Sequence, residues 1–363
     1  MTMSLITGKN GPADKINKNR KGFFSRNQLT WTLTAVSFLF LIAVISIPAL
    51  TNDEVLLSCC QNSGSTIFKK PQTFSGQLSL SGAWALYPLA ARWVEEFQKE
   101  NPGVKIDLQA GGAGKGMADV LSGLVDIGMI SREVYPEEKA KGAWPFSVAR
   151  DAVVATLNQK NPLLKLIEAK GISKEVYRKI WVEGSIKYWE EIYSQPGKTP
   201  IHLYTRSDAC GAAETWASFL NAHQEDLKGI AIYGDPGLAE AVCRDSLGLG
   251  FNNLNFAYNP KTGQPLNGLA IAPLDVNANG YLDKDENFYS SRENLMVAIS
   301  SGHYPSPPAR DLYLVIKKPL NNQLLRSFLL WIMNQGQDLV KETGYVPLKK
   351  EVIEAQKKSL SAY

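Results

Sequence analysis

Three stretches of this chain carry residues whose types and spacing could do chemistry. The first runs from Val104 to Arg132 and places Gly111, Gly112, Gly114 and Gly116 just ahead of a helical pattern. Glycines at a helix start let backbone N–H groups converge on one point, and the helix dipole adds partial positive charge there. With Lys115 and Arg132 nearby, the turn is a candidate cradle for an anion. Two commoner glycine motifs fail on the residues. A P-loop needs Ser or Thr after Gly-Lys, where this chain has Gly116, and an earlier glycine where it has Gln109. A dinucleotide fingerprint beginning at Gly112 and Gly114 needs a third glycine where Met117 stands. The plain alternative is a tight strand-to-helix turn.

The second stretch is Arg206-Ser207-Asp208-Ala209-Cys210-Gly211. Arg206 and Asp208 are spaced for a structural Arg–Asp pair. Cys210 is either a reactive thiolate at a helix start or a packing residue, with a disulfide to Cys243 also open. The third stretch, Asp275 to Glu286, fits the calcium-loop pattern D-x-[DN]-x-[DN]-G-x5-E. Asp275, Asn277 and Asn279 supply side-chain oxygens, Gly280 the sharp turn and Tyr281 a carbonyl. Asp283 is reached through water, and Glu286 binds bidentately. An extended Ile271-Ala272-Pro273 replaces the usual entering helix, and a metal-free Asn-Gly turn is the alternative. Any calcium here would be structural.

The elements that must position these residues follow from periodicity. Strands are expected at Gln77–Leu80, Val104–Gln109, Ala152–Leu157, Ile201–Thr205 and Asp311–Ile316. A helix over Leu86–Gln98 carries Leu86, Leu89, Ala90, Trp93 and Phe97 on one stripe. Met117, Val120, Leu121 and Leu124 mark the helix after the glycine turn. Further helices are expected over 162–195, at Ala212–His223, in a helix–strand pair over Gly237–Phe251 and around Asn322–Gly336. Alternation of this kind points to an α/β fold with mostly parallel sheets.

Length suggests one or two globular domains. The formal charge of +4 is small for 363 residues, and the basic residues are spread out, which leaves no nucleic-acid footprint. Six basic residues between Lys9 and Arg26 precede an uncharged apolar run, Leu29–Leu50. That run is long enough to span a membrane, and its basic flank belongs on the cytoplasmic side. Leu56-Leu57-Ser58-Cys59 resembles a lipobox, so a lipid anchor on Cys59 stands as the alternative. Residues 51–74 read as a tether. Catalysis has little to rest on. His202, His223 and His303 lack metal-ligand spacing, and no G-x-S-x-G elbow occurs.

The residues Ser81-Gly82-Ala83-Trp84-Ala85-Leu86-Tyr87-Pro88-Leu89, the segment Gly111–Arg132 and Arg206–Gly211 together resemble the phosphate-binding proteins of ABC transporters. Those proteins have the two-lobed type II periplasmic-binding-protein fold, and the likeness runs from about Gly76 to Leu348. The resemblance implies lobe one from 75–157 plus 310–355 and lobe two from 158–309, joined by crossing strands at Asp151–Leu157 and Asp311–Ile316. It implies capture of phosphate or another small oxyanion, delivered to ABC permease subunits at a membrane. An anion-sensing or adhesion module that has lost transport is the alternative. The implied ligand contacts are Ser81, Gly82, Ala83, Trp84, Gly112, Gly114, Lys115, Ser131, Arg132, Arg206, Asp208, Cys210 and Gly211. The chain departs from the family at several of them. Ala83, Trp84 and Ala85 stand where hydroxyl residues are expected, Cys210 where Ser is usual, Ala212 where Thr is usual, and Ser131 where an Asp accepts the phosphate proton. Trp84 is then a lid or lobe packing, and Lys115 a ligand contact or a solvated loop residue.

Overall fold

The computed structural model describes residues 74–362. The basic tail 1–28, the run Leu29–Leu50, the tether up to residue 73 and Cys59 lie outside the described residues. Among the described residues no helix is long and apolar enough to cross a membrane.

The chain begins with β1 (Ser75–Gly82), α1 (Tyr87–Glu100), β2 (Gly103–Ala110), α2 (Ala113–Ser122), β3 (Ile127–Ile130) and α3 (Pro136–Ala140). The stripe expected on α1 is buried at Leu89, Ala90, Trp93 and Phe97, and Pro88 fits its first turn, where no N–H partner is lost. On α2, Met117 and Val120 are buried, but Leu124 is 75% exposed. Gly123 adopts a left-handed φ of 79° and ends the helix, so the stripe stops before Leu124. Next come β4 (Ala143–Asn158), α4 (Leu164–Lys170), β5 (Ile172–Ser173), α5 (Lys174–Arg178), β6 (His202–Arg206) and α6 (Gly211–Phe219). They are followed by β7 (Ile230–Ile232), α7 (Gly234–Arg244), β8 (Gly248–Asn253), β9 (Leu269–Ile271), β10 (Leu274–Asp275) and β11 (Ala309–Lys317).

The main sheet runs β2-β1-β3-β11-β4-β8-β6-β7, with β9 also on β4. The outer pairs β1–β2, β1–β3, β6–β7 and β6–β8 are parallel, as expected. Antiparallel pairs gather at the centre, where β11 pairs with β3 and β4, and β4 with β8 and β9. There the chain passes between lobes as extended strand, without the helical crossover a parallel pair requires.

Two large apolar cores define the lobes. One holds Leu78–Ala149 side chains together with Leu312, Phe328 and Leu360. The other begins at Ala152 and includes Trp181, Trp216, Phe251 and Ala309. The two cores divide β4 between Ala149 and Ala152. β11 starts at Ala309, which pairs with Ala152 of the second core, and continues into the first, so the return crossing lies at the start of β11. Leu360 is buried in the first core, which extends lobe one past residue 355.

Candidate functional site

Two helix starts meet across the gap between the lobes. In lobe one, β1 ends at Gly82, whose carbonyl accepts from the N–H groups of Gly111 and Gly112 at 2.9 and 3.0 Å. Gly82 has φ 136°, and a Cβ there would lie 2.3 Å from the Met129 carbonyl, so this close approach admits only glycine. In lobe two, β6 delivers Arg206 and the turn through Ala209 leads into α6. The Gly114 N–H, at the start of α2, donates to the Ala209 carbonyl at 3.1 Å. Gly112 packs against Ala209 and Asp208, and Gly211 against Ser131. The structure thus brings Gly82, Gly112, Gly114, Ser131, Arg206, Asp208, Cys210 and Gly211 into one neighbourhood.

Arg206 has a fully buried side chain held by two acids. Its Nε and Nη2 donate to Asp208 at 2.8 and 2.6 Å, and Nη1 donates to Asp235 at 2.6 Å. Burial by itself would favour the neutral guanidine. Asp235 foremost, and Asp208, override it and hold Arg206 above its ordinary value. Asp235 also accepts from Asn253 Nδ2 at 2.8 Å, and Asn253 Oδ1 accepts from Arg310. Arg310 and Asp151 stand opposite each other on the paired strands β11 and β4, 3.7 Å apart. Sequence reading missed Asp235, Asn253, Arg310 and Asp151. Only the strand register places the last two face to face, and nothing in Tyr233-Gly234-Asp235-Pro236 marks an arginine partner.

Other expected contacts take different roles. Lys115 forms an ion pair with Asp119 and donates to Ser81 Oγ at 3.0 Å, while Ser81 Oγ donates to Asp119 at 2.6 Å. Against the opposing effect of burial, bonds from Lys115 and Ser81 keep the Asp119 carboxyl below its ordinary value. The Ala83 N–H is spent on the Met129 carbonyl at 2.8 Å. Arg132 turns away from the cradle. Its guanidinium grips Glu138 at 2.7 and 2.9 Å and stacks over Tyr135 at 4.3 Å, because Glu138 sits in the first turn of α3 within its reach. Trp84 crosses to lobe two and meets the edge of Tyr233 at 6.2 Å, where Gly234 leaves room for the indole.

Cys210 and Cys243 are both free thiols. Cys210 Sγ caps α6 by accepting from the Ala213 N–H at 3.4 Å. Burial pushes its thiol up to about 12, more than nearby Arg206 pulls it down, which disfavours the thiolate. His202 pairs with Asp245 at 2.7 Å and His303 with Ser301 at 2.7 Å, and neither belongs to this neighbourhood.

The Asp275–Glu286 loop is closed by its own bonds. Asp275 accepts from the N–H groups of Asn279 and Gly280 at 3.2 and 2.9 Å, and Tyr281 donates its N–H to Asn279 at 2.9 Å. Glu286 accepts from Val276 and Asn277, both at 3.0 Å. The side-chain amides of Asn277 and Asn279 converge on one oxygen of Asp283. Among the described residues no three His, Cys, Asp or Glu side chains gather as a metal cage.

With this geometry in view, comparison with known proteins decides the family. A family profile described as a PBP superfamily domain matches residues 69–335. The chain belongs to the PBP superfamily. It is 27% identical over 306 residues to the phosphate-binding protein PstS of Bacillus subtilis, covering 81% of this chain and 90% of that one. It is 26% identical to protein SphX of Synechococcus elongatus, covering 83% and 86%. Among solved structures, an ABC-type phosphate transport receptor from Vibrio cholerae superposes with a TM-score of 0.55 at 15% identity, covering 75% of this chain and all of that one. The two-lobed architecture of this PBP-superfamily chain is the one expected from its sequence.

Proposed function

We propose that this chain is a solute-binding protein that holds an inorganic oxyanion, phosphate first, between its lobes and delivers it to an ABC-type permease. The observation that carries this reading is the meeting of the α2 and α6 starts beside the buried Arg206. Two helix N-termini focus positive potential on one point, and Arg206 fixes the Asp208 turn beside it. Relatives named phosphate-binding protein make phosphate the first candidate. An incoming oxyanion competes with the Ala209 carbonyl for the Gly114 N–H, so loading requires the lobes to part. Ser131, unlike an acidic residue, does not repel a fully deprotonated oxyanion, which relaxes discrimination between protonation states.

The run Leu29–Leu50 serves in this reading as a single membrane anchor that leaves the PBP domain outside, with lipidation of Cys59 as the alternative. Mass spectrometry of the mature N-terminus separates the two. Calcium in the Asp275–Glu286 loop is a further part of the reading, supported by the ligand spacing alone.

Isothermal titration with inorganic phosphate tests the main reading. Arg206→Lys keeps a charge between Asp208 and Asp235 but loses the planar fork. It should weaken phosphate binding by about tenfold or more. Absence of binding heat with both phosphate and sulfate in the unaltered protein would overturn the proposal.

A further inference from the structure

A cavity of about 340 Å³ lies between the lobes on the side of the crossing segments. Its buried end is formed by Arg310, whose side chain is only 7% exposed. Nη2 of Arg310 donates to Asn253, while Nε and Nη1 are buried without an acceptor. Asp151 stands at 3.7 Å, beyond hydrogen-bond range. Asp235 is already engaged by Arg206 and Asn253. The Asp151 oxygens are likewise without a hydrogen-bond partner, so the Arg310–Asp151 ion pair leaves donor capacity on Nε and Nη1 unspent.

The outer end has the opposite character. Glu133 is exposed, and Glu214 accepts one bond, from Tyr135 at 3.2 Å. Arg132 also lines this end, with its guanidinium bonded to Glu138. The rings of Tyr135 and Tyr313 complete this end. The cavity thus holds one guanidinium with unspent donors at its inner end, and carboxylates and two tyrosine rings further out. A single inorganic oxyanion is far smaller than this space, which matches the lower end of pockets that hold organic ligands.

We propose that this cavity binds a small organic zwitterion, its oxyanion group on Arg310 and its ammonium group between Glu133 and Glu214 against the tyrosine rings. The site uses none of the glycine-cradle residues and stands independently of the phosphate reading.

Titration calorimetry on the full chain can use two matched pairs, aminoethyl phosphate with ethyl phosphate and β-alanine with propionate. In the pair that carries the right anion, the amine-bearing member should bind roughly tenfold tighter or better than its amine-free partner. Glu214→Gln should shrink that ratio to about threefold or less. Arg310→Gln should weaken both members of the pair. If that buried change prevents folding, Glu214→Gln at a half-exposed position still decides. Equal affinities within both pairs, or a ratio untouched by Glu214→Gln, would overturn the inference. Inorganic phosphate titrated into Arg206→Lys and into Arg310→Gln separates the cradle from the cavity. Phosphate binding without an amine preference refutes only the zwitterion site, and the reverse pattern refutes only the phosphate reading.

Discussion

Closure of the two lobes rests on the absence of one methyl group at Gly211. This residue opens α6, and a Cβ built on it would lie 2.2 Å from both the carbonyl oxygen and the hydroxyl of Ser131 in the other lobe. Ordinary contact begins near 3.4 Å, so Gly211→Ala leaves 3.4 − 2.2, or about 1.2 Å, to be made up by separation. Separation by that amount would stretch the interlobe bonds Gly114–Ala209, now 3.1 Å, and Tyr135–Glu214, now 3.2 Å, beyond useful range. The ligand itself replaces the Gly114–Ala209 bond, so the Tyr135–Glu214 bond is the one lost from the loaded state; at roughly 1 kcal/mol its loss should weaken binding by about fivefold. The fold itself should survive. Alanine is the better helix former by about 1 kcal/mol, and the conflict lies only across the gap.

Phosphate titration measures the affinity, small-angle scattering the lobe separation and urea unfolding the stability. The expected result is weaker binding, a larger radius of gyration and an unfolding midpoint no lower than before. Unchanged affinity with an unchanged scattering profile would refute the claim that ligand is held in this closed arrangement.

Asp151 should make stability depend on pH. Burial pushes its carboxyl up to about 6, against the pull of Arg310, while the unfolded chain titrates near 4. The folded state therefore favours the protonated acid, and that stability is present in full below about pH 4 and lost as pH rises through about 6, by up to roughly 3 kcal/mol. Asp151→Asn should flatten this slope and stabilise the protein at pH 7.5 but not at pH 4, as read by urea unfolding. Destabilisation at pH 7.5 would mean that pairing with Arg310 outweighs desolvation. For the Asp275–Glu286 loop, millimolar calcium should raise the melting temperature more than magnesium does, and Glu286→Gln should remove most of the rise. Equal shifts with both ions, or none with calcium, would make the loop a turn.

The helices and strands are legible in the sequence where apolar spacing is regular, as on α1. They are less so where polar residues interrupt it. Only the second half of β4 is expected as strand, because Pro145, Arg150 and Asp151 break the apolar pattern of its first half. The cradle is legible because Gly111, Gly112, Gly114 and Gly116, set just ahead of a helical stripe, mark a place where backbones approach closely. Side-chain roles are not legible, since they depend on competition among neighbours. Arg132 is expected at the anion and goes to Glu138, while Lys115 goes to Asp119. In each case a carboxylate within one or two turns of chain offers a local partner at little entropic cost.

The buried charges link the crossing segment to the cradle by contact. Arg206 and Arg310 face Asp151, Asp208 and Asp235, and Asn253 links the two arginine clusters by bonding both Asp235 and Arg310. With every acid ionised the group carries one excess negative charge, and with Asp151 protonated it is neutral. An anion arriving at the cradle therefore meets less opposition when Asp151 holds its proton. Asp151 sits on β4 where the lobe boundary cuts the strand, so protonation at the crossing and charge at the cradle are coupled through one short chain of contacts.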